Sequence, residues 1–157
     1  MAYQKLQANR ALAVIPSDTI NIPNPGATAA SGTTTATVAS KLTDSAATFL
    51  TDNIKVGDIV YDSTNSVVTT VTAVDSDTVL SVATGIVTAS AYVVYSQIDN
   101  PQNGCVLYTG GAGDLKVTTV GGDEVTFVGL VAGQFIPVNV LRVWVTGTTA
   151  TNIIALW

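Results

Sequence analysis

Few residues of this chain could do chemistry, and the sequence holds no histidine and a single cysteine, Cys105. Without imidazole the usual general base and metal ligand near neutral pH is missing, and one thiol cannot close an internal disulfide. Cys105 follows Gly104 with no histidine to activate it, so a small buried apolar side chain is its expected role. Gly110-Gly111-Ala112-Gly113-Asp114 is the one glycine-rich loop. A phosphate cradle uses such glycines to bring backbone N–H groups to an anion. This run lacks the Lys and Ser/Thr of a P-loop and joins two strand-like segments instead of opening a helix, so a hairpin turn is expected. Asp75, Asp77, Asp123 and Glu124 offer hard oxygens for calcium, yet no loop with ligands at alternate positions surrounds either pair, which leaves solvated turn acids. Asp18 and Asp58 would serve acid–base catalysis only as a pair across a cleft. Pro16-Ser17-Asp18-Thr19 and Val56-Gly57-Asp58 are turn contexts that account for each separately. No base, nucleophile and oxyanion donor come together, so the chain reads as a non-enzyme with no metal and no cofactor.

The aromatic residues point the same way. Phe127, Phe135, Trp144 and Trp157 fall on strand-like segments where core or interface packing explains them, and Tyr61, Tyr92 and Tyr95 recur in the middle of the chain. A stacking platform for single-stranded nucleic acid would interleave such rings with Lys or Arg. The chain has only 6 Lys+Arg against 11 Asp+Glu, a formal net charge of -5 over 157 residues. No basic surface exists to neutralise phosphates, which excludes nucleic acid as a partner.

Thr and Val supply 24 and 23 residues, while Glu124 is the one glutamate. β-branched residues fit pleated strands and are mediocre in helices, so the chain is expected to be all-β. Ala11 to Ile15 reads as a short strand stopped by Pro16, and Ile20 and Ile22 alternate with polar residues before Pro23 and Pro25. Residues 27–37 contain nothing larger than Thr and read as a linker or exposed loop. Asp44 or Ser45 is expected to cap a single helical turn ending near Phe49. Strands are expected at 59–61, 67–74, 78–82 and 91–95, with a turn at Asp75-Ser76-Asp77. Further strands are expected at 105–108, 115–120, 125–128, 138–145 and 153–157, the long one preceded by Gly133-Gln134-Phe135-Ile136-Pro137.

Only 11% of residues are charged, 47% are hydrophobic, and the mean hydropathy is +0.43. A membrane helix needs about 20 consecutive apolar residues, but the charge-free stretches 125–141 and 143–157 are broken by Gly, Thr, Asn, Gln and Pro. No helical span and no membrane partner are expected. Met1-Ala2-Tyr3-Gln4-Lys5 lacks the apolar core of a signal peptide, so the chain is expected to be made and used without export. So little charge on a small chain implies that other subunits cover much of its surface.

Two stretches carry a resemblance: Ala11-Leu12-Ala13-Val14-Ile15-Pro16-Ser17-Asp18-Thr19, and Leu107 to Val117 continuing through Phe135-Ile136-Pro137-Val138 to Arg142-Val143-Trp144-Val145-Thr146-Gly147-Thr148-Thr149-Ala150. Over about half the chain they resemble the small β-sandwich virion proteins that sit on the heads of tailed bacteriophages and gene-transfer agents, as capsid decoration (cement) or spike-base proteins. The resemblance implies a small jelly-roll-like β-sandwich base, residues 1–26 and 99–157 with an N-terminal arm. Residues 27–98 depart from the family's short unit. Lys41-Leu42-Thr43-Asp44, Phe49 and Val56-Gly57-Asp58-Ile59-Val60 there resemble the small β-barrel modules that phage structural proteins carry as insertions.

The expected function is therefore a structural protein on the capsid surface of the virion. Its expected partners are the major capsid protein, further copies of itself as a trimer or pentamer, and a spike or fibre protein. The arm, Met1 to Ile22, is expected to reach capsid or a neighbouring subunit by strand addition, so that losing residues 1–15 would leave the fold intact. The residues expected at interfaces are Leu12, Val14, Ile15, Ile20, Ile22, Phe135, Val138, Val140, Trp144 and Trp157. Two other readings stay open: a tail, neck or baseplate adaptor, and a carbohydrate-binding module with Tyr61, Tyr92 and Tyr95 as a sugar-facing patch.

Overall fold

Thr and Val pack best on pleated backbone, and the chain they dominate is all-β. The computed structural model describes residues 8–97 and 104–157. Among them lie twelve strands and one 3₁₀ turn, Pro25–Ala27. The strands are β1 (Ala11–Ala13), β2 (Thr28–Thr33), β3 (Lys41–Thr43), β4 (Ile59–Asp62), β5 (Val67–Ser76), β6 (Val79–Val82), β7 (Ala91–Tyr95), β8 (Cys105–Thr109), β9 (Gly113–Thr119), β10 (Glu124–Leu130), β11 (Gln134–Val143) and β12 (Ile153–Leu156). They form two antiparallel six-stranded sheets, one in each of two compact units: Met1–Pro25 with Gln102–Trp157, and Gly26–Pro101. The module boundary expected at 98/99 lies outside the described residues.

In the first unit the sheet order is β1-β12-β8-β11-β9-β10. Alternation buries Cys105, Leu107, Leu115, Val117, Ile136, Val140, Val143, Ile153 and Ala155 on one face, closed by Ile22, Leu130 and Ala150. β11 starts at Gln134 and runs through Pro137 to Val143, not from 138 to 145 as expected. Pro137 is tolerated because the register against β8 shifts between Ile136 and Val140, where a missing N–H breaks no ladder bond.

The N-terminal arm is corrected over its described part. Asn9 and Arg10 donate to the Trp157 carbonyl, β1 pairs with β12, and the Val14, Ser17 and Ile22 amides donate to the carbonyls of Ile153, Val143 and Leu141. Ile20 and Ile22 form no strand; the Ser17 hydroxyl accepts from the Thr19 and Ile20 amides and turns the chain, sending Ile22 into the core. Residues 9–22 are thus bound to their own sheet, and removing 1–15 would delete an edge strand. Residues 1–7 lie outside the described residues.

The second unit has the order β2-β7-β4-β5-β6-β3. The first half of β5 pairs with β4 and the second with β6, across register shifts at 71/73 and 74/76. Such irregularities bend a strand, and the sheet curls into a half-barrel. The Thr35 amide donates to the Thr43 carbonyl and Ala36 bridges Thr43, tying the segment after β2 to β3 at the opposite edge. Leu42, Phe49, Ile54, Val60, Val71, Leu80, Val82, Ile86, Tyr92 and Val94 fill the interior.

Three expectations change here. Residues 28–33 of the expected linker are the edge strand β2, whose small side chains allow close approach: a Cβ on Gly32 would collide with the Asp44 carboxylate and lie 2.8 Å from the Tyr92 hydroxyl. Asp44 caps no helix. It is buried, its Oδ1 accepting from the Ala46 amide and its Oδ2 from the Tyr92 hydroxyl at 2.7 Å. The turn expected at 75–77 begins later, because β5 continues to Ser76.

Candidate functional site

The glycine loop is spent on structure, though not as the expected hairpin turn, because the strands it joins, β8 and β9, are separated in the sheet by β11. The Gly110 and Gly111 amides donate to the carbonyls of Asn152 and Thr151, and Gly113 already belongs to β9. Asp114, which the sequence marks only as the end of this loop, ties three segments together: its amide donates to the Thr149 hydroxyl, its carbonyl accepts from Thr149 and Ala150, and its Oδ1 accepts from the Gly129 amide at 2.8 Å.

The acids do not converge. Asp75 pairs with Lys41 at 2.8 Å and accepts from the Ser81 hydroxyl, bonds that hold its carboxyl below the usual range. Asp77 accepts from the Leu50 amide, and Glu124 lies 3.4 Å from Lys116. Asp18 and Asp58 belong to different units. Asp18 accepts from the amide and hydroxyl of Thr146, and those two bonds lower its pKa. Asp58 is buried and accepts from the Lys55 and Gln97 amides. Among the described residues no three His, Cys, Asp or Glu side chains gather as a metal site would require.

Cys105 is buried at the start of β8, and its thiol donates to the Val140 carbonyl at 3.4 Å. Burial pushes its pKa up to about 12. A thiol protonated in the fold but ionised once unfolded makes stability fall as pH rises above the unfolded value of 9.0, by about 1.4 kcal/mol per pH unit. Urea unfolding between pH 8 and pH 10 should show this decline, and Cys105→Ala should flatten it; equal slopes would place the thiol in contact with water.

The aromatic residues divide sharply. Tyr61, Tyr92 and Tyr95 are buried, with Tyr61 and Tyr95 edge to face at 5.8 Å and Tyr92 against Phe49 at 6.1 Å. They present no rings to a sugar, so the expected glycan-facing patch is not formed. Trp144 stands half-buried between cations, the Lys116 ammonium 4.0 Å from a ring centroid and the Arg142 guanidinium 5.6 Å away, its N–H donating to Thr118.

The residues expected at interfaces take different positions. Val140 and Ile22 are core; Leu12, Val14, Val138 and Trp157 pack against that core; Ile15 and Ile20 are half-buried. Phe135 stands out at 58% exposure, with its ring 5.2 Å from that of Tyr108. Sequence reasoning missed its exposed companions Val128, at 76%, and Val131, at 65%. Val128 sits where the register between β10 and β9 shifts, beside Gly129 at φ +69°, and this irregularity, which pushes the side chain outward, leaves no signal in residue type. What this arrangement can do is bind apolar surface.

No protein-family model matches the chain, and neither curated proteins nor solved structures compared with it give a match.

Proposed function

We propose that this chain is a structural protein of a tailed-bacteriophage particle, a capsid decoration or vertex spike-base protein that binds the major capsid lattice as a homo-oligomer. The observation that carries this reading is the uncharged run 125–141, from which Val128, Val131 and Phe135 project into water along the edge strand β10, the turn after it and the start of β11. Single exposed valines are ordinary, whereas several large apolar side chains exposed along one uncharged run mark a surface meant for covering. Covering them gains about 25 cal/mol per Å² without removing any charge from water. The candidate acids support a structural role too, since Asp18, Asp58 and Asp114 are committed to holding turns and segments. The chain's acidity disfavours a seat against packaged DNA.

The test uses heads assembled from the particle's major capsid protein and lacking this chain. Purified protein should co-sediment with them to a saturating ratio, and the double substitution Val128→Asp with Val131→Asp should weaken binding at least tenfold while leaving the circular dichroism unchanged. Protein that stays in the supernatant at saturating concentration would contradict the assignment.

A further inference from the structure

A strand with one face on a core and one in water alternates apolar with polar residues. β8 and β12 do not. Cys105, Leu107, Ile153 and Ala155 point into the core, which leaves Val106, Tyr108, Ile154 and Leu156 on the opposite face of the same strands. Register extends this pattern sideways. Ala13 of β1 lies opposite Ile154 of β12, Ile154 opposite Tyr108 of β8, and Tyr108 opposite Phe135 of β11. In a second row Ala11 lies opposite Leu156, and Leu156 opposite Val106. The only polar side-chain atom in the two rows is the Tyr108 hydroxyl. Farther along the same face, β9 and β10 carry Lys116, Thr118, Glu124 and Thr126, so the apolar character is confined to one half of the sheet.

We infer that this two-row stripe is the face on which a second copy of the chain packs, sheet against sheet; the inference rests on the homo-oligomer proposed above and names its contact. Charge restricts where a second copy can pack. Each chain carries a net -5, so two copies repel wherever their acids meet, and the stripe is a place where they can touch with no charge on either side. A partner presenting an acid or base there would bury it unpaired against Ile154 and Tyr108, at high cost. The stripe of another copy offers matching apolar rows in an isologous contact, which pairs copies two by two where the sequence implied a trimer or pentamer, at the sheet-to-sheet spacing of about 10 Å. One row of four strands and one of three cover on the order of 300 Å², the size of the apolar centre of an interface that buries about 800 Å² on each partner.

Sedimentation equilibrium of the full chain tests this, with Phe135→Glu and Ile154→Glu in the stripe and Thr126→Glu on the polar half of the same face. Wild type and Thr126→Glu should have masses of at least twice 16.1 kDa. The stripe variants should weaken association by on the order of 100-fold and run as monomers at the same concentration. Phe135 is more than half exposed, so Phe135→Glu is the variant expected to keep its fold, checked by its thermal melt. If wild type is oligomeric and folded Phe135→Glu remains so, the stripe is not the contact, while the homo-oligomer stands. If wild type is itself a monomer at the highest concentration, the self-association reading falls with it.

Discussion

Phe49→Ala should unfold the Gly26–Pro101 unit and leave the other unit folded. Phe49 is fully buried within the half-barrel, its ring tilted against that of Tyr92, with its amide bonded to the Asp77 carbonyl. Removing a buried phenyl ring costs about 3–5 kcal/mol, most or all of the stability that so small a unit commands. The two hydrophobic clusters share no residue, so the loss should stay local. Native-state hydrogen exchange separates the outcomes. Protection should vanish at Leu42, Val60, Val71, Leu80 and Val94 while persisting at Leu107, Leu115 and Val140. Joint loss in both sets would mean that the units fold as one cooperative body.

Gly113→Ala should have the largest effect of any methyl addition in the first unit. Gly113 adopts φ +147°, and a Cβ there would lie 2.5 Å from the Ala150 nitrogen and 2.7 Å from the Thr149 carbonyl carbon. Both neighbours are backbone and neither can rotate away. Making room means moving the 149–150 segment, which would break its bonds to Asp114. Backbone strain and lost hydrogen bonds together cost about 2–5 kcal/mol. Gly122→Ala is the control: its φ is +92° but nothing lies within 4 Å, so about 1 kcal/mol of strain is expected. Urea unfolding followed at Trp144 should rank the two variants in that order, and equal midpoints would show that the loop yields freely.

What could be read from the sequence was whatever side-chain type decides locally. Thr and Val abundance gave the all-β class, and Ala91–Tyr95, an aromatic and β-branched run between Ser residues, is a strand with the expected bounds. What could not be read depends on long-range partners. β2 was hidden because Thr-Ala-Ala-Ser-Gly-Thr has β-branched side chains only at its two ends and no large apolar one; its place is set by backbone pairing with β7 and by the close approach to Asp44. Pro137 argued against a strand interior until the shifted register removed the need for its N–H. Ile22 looked like part of a free arm because its partner, the Leu141 carbonyl, is more than a hundred residues away. Of the residues expected at interfaces, Phe135 could be found as a large ring following Gly133-Gln134 at the start of a strand, whereas burial of Val140 follows only from its opposition to Cys105 and Thr119.

The proposed role, an assembled structural part of a phage particle, is tested by the composition of purified particles. Quantitative mass spectrometry of intact virions should find the chain in a fixed ratio to the major capsid protein, one set by the symmetry axes it occupies, and surface labelling should reach it without opening the head. Its absence from particles, or a ratio that varies between preparations, would contradict the account.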